Sequence, residues 1–150
     1  MSRGKHERAT RDGLPLYFAD REEAGRRLSR QLEHLRDAGP VILGLPRGGV
    51  PVAGEVAGYL DAPFDVVVVR KLGVPWQPEL AMGAIGEDGI RILNREVMEA
   101  LGVGEAQLRE VEERERRELH RRVGTFRGDR PPLPLEDRVA VLVDDGVATG

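Results

Sequence analysis

Residues 139–150 read VAVLVDDGVATG: an aliphatic run, two adjacent carboxylates at Asp144 and Asp145, and a turn of small residues. A run apolar on both faces marks a strand buried in a parallel sheet, so 139–143 predicts a covered strand delivering two acids at its carboxyl end. Two other segments repeat the pattern. VILGL at 41–45 gives way to Pro46, Arg47, Gly48 and Gly49 and then to VPVAGEVAGYL at 50–60, which has helical spacing; DVVVV at 65–69 follows Ala62-Pro63 and ends in Arg70 and Lys71. Strand, loop, helix and strand in that order predict an α/β fold: an open, mostly parallel twisted sheet flanked by helices. In such sheets ligands bind outside the carboxyl ends of the strands. The loops after residues 45, 69 and 143 are therefore expected to face one crevice.

Working outward, Asp20 and Glu23 resemble a capping box, and Ala24, Leu28, Leu32 and Leu35 make one apolar stripe that ends at Gly39-Pro40. This predicts an amphipathic helix, preceded by a tail over 1–19 with a short ordered piece at LPLYF. Pro75, Trp76 and Pro78 predict a long exposed loop over 71–80, and Asp88-Gly89 between AMGAIGE and IRIL predicts a β-hairpin. Asn94 opens a short helix to about Leu101. Glu105 to about Val123 reads as a longer one, laced by Glu/Arg pairs such as Glu112/Arg116 and Glu118/Arg122, with Leu108, Val111, Leu119 and Val123 as its apolar seam. Such a helix is expected to lean on the domain with a solvated outer face. The domain is assigned to 20–150, with a charged helical insertion at about 94–125.

The 150 residues carry 40% hydrophobic, 33% charged and 4% aromatic residues, the balance of a soluble domain with an aliphatic core. Lys+Arg 23 against Asp+Glu 26 leaves a formal charge of -3, so nucleic acid is not an expected partner without a local basic patch. Cysteine is absent, removing disulfides, thiolate metal sites and cysteine nucleophiles. No apolar run approaches a membrane span and no secretory signal is visible, so a cytoplasmic location is expected. His6, His34 and His120 have no ligand-like spacing, which argues against a zinc site or a histidine triad.

The chemistry concentrates at the strand ends. Vicinal hydroxyls of a ribose can donate to Asp144 and Asp145, while the backbone from Gly146 can curl so that its N–H groups converge on an anion. An ordinary strand end followed by a helix-capping turn is the plainer reading of Asp-Asp-Gly alone. The whole string VLVDDGVATG, however, resembles the phosphoribosyl-diphosphate (PRPP) signature of type I phosphoribosyltransferases, and GLPRGG resembles that family's pyrophosphate loop. The resemblance covers about 40–90 and 138–150. It implies that Asp144 and Asp145 hold the ribose 2′- and 3′-hydroxyls, that Gly146, Val147, Ala148, Thr149 and Gly150 cradle the 5′-phosphate, and that Arg47, Gly48, Gly49, Arg70 and Lys71 receive the diphosphate. It also implies a cis peptide bond just before Arg47, and a hood loop closing from 71–87 in which Trp76 could stack on a base and Glu79 and Glu87 are weaker candidates.

The implied reaction transfers ribose 5-phosphate from PRPP to a nitrogenous base with release of pyrophosphate. Mg²⁺ is its cofactor, carried at Asp144 and Asp145 through PRPP or water, and Arg47, Lys71 and the acid pair form the catalytic set. Ala148 stands where 6-oxopurine enzymes of the family carry an aspartate, so the acceptor base stays open. The oligomeric state is not legible, a homodimer being one form considered. The chain ends inside the expected phosphate cup, which reads as a C-terminally truncated domain. Two further readings stay open: a non-catalytic regulator that senses PRPP and binds nucleic acid or protein, and an unrelated α/β hydrolase or phosphatase, for which no nucleophile elbow is present.

Overall fold

A computed structural model describes residues 17–146. The elements are α1 (Arg21–Gln31), a 3₁₀ turn (Glu33–Ala38), β1 (Val41–Gly44), α2 (Gly49–Leu60), β2 (Phe64–Val66), β3 (Arg70–Val74), β4 (Gln77–Ile85), β5 (Arg91–Leu93), α3 (Arg95–Leu101), α4 (Glu105–Arg127) and β6 (Ala140–Val143). They form two three-stranded sheets: a parallel one in the order β2-β1-β6 and an antiparallel one in the order β3-β4-β5. The expected parallel sheet flanked by helices is therefore present, and the hairpin region is a second sheet of its own.

The parallel sheet rests on α2, which rests on α1. Ile42 and Val143 pack with Val52, Ala53, Val56, Ala57 and Leu60, and Leu28 of α1 and Leu32 just after it close over them. The two helices meet closely at Gly25, where an added Cβ would come within 2.6 Å of the Glu55 Cβ. Asp20 caps α1 as expected, its carboxylate accepting from the Glu23 N–H at 2.7 Å. The α-helix is shorter than predicted: the 3₁₀ turn carries the chain on to Gly39, which takes a left-handed φ of 58°.

The antiparallel sheet packs against α3 and α4 through Leu72, Val74, Met82, Ile85, Met98, Leu108, Val111 and Leu119. Each such side chain contributes about 1.5–3 kcal/mol when fully buried. The loop expected over 71–80 is instead the β3–β4 hairpin. Leu72 and Val74 are buried and alternate with Lys71 and Gly73, the period of a half-buried strand. Pro78 is accommodated by shifts in register on either side of Gly73, where an added Cβ would meet the Pro78 carbonyl oxygen at 2.4 Å. The turn expected at Asp88-Gly89 is present, both residues having positive φ, 53° and 77°.

Two strands depart from expectation. DVVVV pairs only over Phe64–Val66, because β1 ends at Gly44; Val67 N–H makes a last bond to the Gly44 carbonyl and the chain then crosses to the second sheet. VAVLV forms β6 but among the described residues it is an edge strand and is not covered on both faces: Val143 is buried, while Leu142 is 60% exposed.

Candidate functional site

The site is assembled by register. Gly44 pairs with Val143, and Leu45 N–H donates to the Val143 carbonyl at 2.9 Å. The two strands thus end side by side, and their loops leave together. The first turns through Pro46-Arg47, whose peptide bond is cis, as the resemblance implies. It then passes against the acid pair: an added Cβ on Gly48 would fall 1.9 Å from the Asp145 Oδ2, and one on Gly49 would fall 2.5 Å from the Val143 oxygen and 2.9 Å from the Asp144 Cα. Only glycine permits both approaches. Gly49 is buried and its N–H is engaged by the Leu45 carbonyl, so its role here is steric, under the loop.

Asp144 and Asp145 are both exposed at the mouth of a cleft of about 520 Å³ lined by Tyr17, Phe18, Arg21 and Val52. The Asp144 Oδ1 accepts from the Asp145 N–H at 2.8 Å, which fixes one carboxylate against the turn. Asp145 carries a partner that no local pattern announces. Arg21, at the start of α1, places Nε at 2.9 Å and a terminal nitrogen at 2.7 Å from the Asp145 Oδ2. This guanidinium holds the carboxyl below the usual carboxylate range, against the smaller opposing effect of desolvation, so Asp145 is ionised throughout the neutral range. Replacing Arg21 by glutamine is expected to raise the Asp145 titration midpoint toward its ordinary value while leaving the fold intact. An unchanged midpoint by carboxyl-detected NMR would show that Arg21 does not control the acid.

The remaining candidates divide. Arg47 is exposed beside α4, in a cleft that also contains Arg121 and Arg122. Arg70 is engaged instead by Glu115, its Nε 2.9 Å from the carboxylate, and ties β3 to α4. Lys71 reaches Glu79, 3.7 Å from its carboxylate and 3.2 Å from its carbonyl. Neither lines the clefts at Asp145 or Arg47. Trp76 is 54% exposed at the hairpin tip. Gly146 is exposed, and Val147, Ala148, Thr149 and Gly150 lie outside the described residues.

Glu87 serves another purpose. It and Asp65 receive the guanidinium of Arg127, which also donates to the Val66 carbonyl, at 2.7 Å; Asp65 further accepts the Leu133 N–H at 2.9 Å. This nearly buried cluster ties the end of α4 to β2, to the loop after β4 and to the segment that leads toward β6. His34 and His120 are exposed, and His6 lies outside the described residues.

The sequence profile of the family described as Phosphoribosyl transferase domain matches residues 19–150. The chain belongs to this family. Two relatives from Mycobacterium tuberculosis, "Putative phosphoribosyl transferase MT0597" of strain CDC 1551 / Oshkosh and "Putative phosphoribosyl transferase Rv0571c" of strain H37Rv, are each 56% identical over 133 residues, covering 89% of this chain. The chain spans about 30% of the length of each. Among solved structures, TT1426 from Thermus thermophilus is similar with a TM-score of 0.74 and 42% identity, over 87% of this chain and 62% of that one. The phosphoribosyl transferase domain thus accounts for nearly all of this chain, and the described parts of the two loops on which the resemblance rests leave β1 and β6 side by side. Among the described residues, no helix is long and apolar enough to cross a membrane.

Proposed function

We propose that this phosphoribosyl transferase domain binds PRPP and transfers its ribose 5-phosphate to a nitrogenous acceptor, releasing pyrophosphate. The observation that carries the reading is the contact between loops: the Gly48 backbone lies against the Asp145 carboxylate, so a loop whose arginine is fit for a diphosphate adjoins an acid pair fit for vicinal hydroxyls, Arg47 opening on the cleft beside α4 and the acids on the one beside α1. Asp144 and Asp145 hold the ribose hydroxyls, with Arg21 fixing the second acid. Arg47 gathers the charge that develops on the departing diphosphate. By the resemblance, the turn from Gly146 to Gly150 takes the 5′-phosphate, and Lys71 joins only if the hairpin moves it away from Glu79.

As the C1′–O bond breaks, negative charge grows on the diphosphate and positive charge on the ribose ring. Fixed cations at the first and fixed anions at the second stabilise that separation more than they stabilise the ground state. Adjacent exposed carboxylates suit Mg²⁺, which takes one or two carboxylates and completes its shell with water and substrate oxygens. Among the described residues no group of three or more acid or histidine donors stands ready for a metal, so PRPP itself would supply much of that shell. Bound there, the ion would offset charge on the diphosphate.

The test is a pyrophosphate-release assay against purine, pyrimidine and related acceptors. Asp145→Asn removes one of the two charges facing the ribose and is expected to lower turnover about a hundredfold, the scale of losing one preorganised electrostatic partner. Parent-like turnover by that variant would refute the assignment. PRPP binding without release for any acceptor would favour the sensing regulator over the enzyme.

A further inference from the structure

The cleft beside Arg47 is built from two parts of the chain: Arg47 from the loop after β1, and Arg121, Arg122, Thr125 and Phe126 from the last turns of α4. Three arginines line a space of about 330 Å³, and the carboxylate that meets two of them is Glu118. Glu118 Oε1 accepts from Arg121 at 2.7 Å and from the Arg122 Nε at 2.9 Å, while its Oε2 accepts from the Arg121 Nε at 2.8 Å. Hydrogen bonds from Arg121 and Arg122 hold the Glu118 pKa down at about 2, so it stays ionised and keeps both arginines in place.

One carboxylate against three guanidiniums leaves the cleft with an excess of two positive charges. A guanidinium has five N–H donors. Glu118 engages only Nε of Arg122, and Nε with one terminal nitrogen of Arg121, so several donors of each remain. The Thr125 hydroxyl donates back to the Arg121 carbonyl at 3.0 Å, which leaves the guanidiniums as the cleft's main donors. Like charges gathered without matching counter-charges repel one another, and a multiply charged anion is the species that relieves the repulsion.

We infer that the end of α4 is a second jaw for a condensed phosphate: Arg121 and Arg122 close with Arg47 on a diphosphate, as N–H forks preset by Glu118. The inference rests on the assignment of the Arg47 loop to the diphosphate, and it extends that subsite to a helix that the sequence presents as a solvated packing element.

Titration calorimetry with inorganic pyrophosphate, and with inorganic phosphate for comparison, tests it without any acceptor or turnover. Pyrophosphate is expected to bind more tightly than phosphate. The double variant Arg121→Gln/Arg122→Gln is expected to weaken pyrophosphate by about tenfold for each guanidinium lost and to flatten the salt dependence. Arg109→Gln/Arg117→Gln removes the same charge from exposed positions of α4 outside the cleft, and is expected to bind like the parent. Parent-like affinity in the Arg121/Arg122 variant, or an equal loss in the Arg109/Arg117 variant, would overturn the second jaw. If Arg47→Gln alone weakens binding, the jaw fails and the loop assignment stands; if the parent binds no pyrophosphate, both fail.

Discussion

Replacing Gly48 by alanine is expected to silence the domain while leaving it folded. Gly48 has φ -67° and ψ -33°, angles that alanine adopts freely, so the backbone itself does not object. The objection comes from across the site, where the new methyl would lie 1.9 Å from one oxygen and 2.1 Å from the Cγ of Asp145. That carboxylate is the exposed end of a side chain and can swing aside, which makes the collision cheap for folding. As the helix cap, alanine costs about 1 kcal/mol or less relative to glycine, a few degrees in melting temperature for a chain this long. The displaced acid is the very group assigned to the ribose, and a shift of about 1 Å in such a group can cost about a hundredfold in rate. Pyrophosphate release should fall on that scale with a nearly unchanged melt; parent-like release would detach Asp145 from the chemistry. Gly49→Ala gives the opposite pattern. Its methyl meets the Val143 carbonyl and the Asp144 Cα, backbone atoms that cannot move without parting β6 from α2, so stability falls first.

The second large effect is structural. Arg127→Met keeps the length of the side chain but leaves Asp65 and Glu87 without their cation. Arg127 and Asp65 are 6% and 9% exposed, and breaking such a pair typically costs about 3–5 kcal/mol. A melting temperature about 10 °C or more below the parent is expected. The pH dependence supplies a sharper readout. Burial pushes the Asp65 carboxyl up, but the Leu133 N–H, the Arg127 guanidinium and the Val66 N–H outweigh it and hold the group below its usual 3.8. A carboxyl depressed on folding contributes stability that is present above the unfolded value and lost as pH falls through the folded one. In the variant the guanidinium is gone and burial opposes fewer bonds, so protonation relieves the site instead. The gap in stability between parent and variant should therefore narrow from pH 7 to pH 3; a constant gap would mean that the cluster carries no charge-dependent load.

Whatever has a local signature is legible in the sequence. The aliphatic strands, the helix over 50–60, the caps at Asp20 and Asn94 and the turn at Asp88-Gly89 each rest on residues within one turn or one pleat of each other. Even so, the composition of VAVLV predicts two covered faces, and composition does not reveal that β6 is an edge among the described residues. At 71–80 the prolines mask the alternation of Lys71, Leu72, Gly73 and Val74, because nothing in the string shows that Gly73 makes room for Pro78. The site divides on the same principle. Arg47 and the acid pair lie in contiguous motifs and can be read directly. Arg21, separated from Asp145 by 124 positions, and Arg121 and Arg122, on a helix whose charge pattern is that of any solvated helix, have no signature until the fold brings them round. Arg70 misleads for the converse reason: a cation at a strand end looks available until Glu115 is seen to engage it.

The Arg127 cluster also decides how the hairpin can behave. Glu87 lies two residues past the end of β4 and Arg70 opens β3, so both roots of the hairpin are pinned, one to Arg127 and the other to Glu115. Farther out, beyond the shifted register at Leu72 and Gly73, Val74 is still fully buried in the second core, and past it the turn reaches solvent at Trp76. The arm is therefore anchored along most of β3, and the part that stands outside the core is the short turn that carries Trp76.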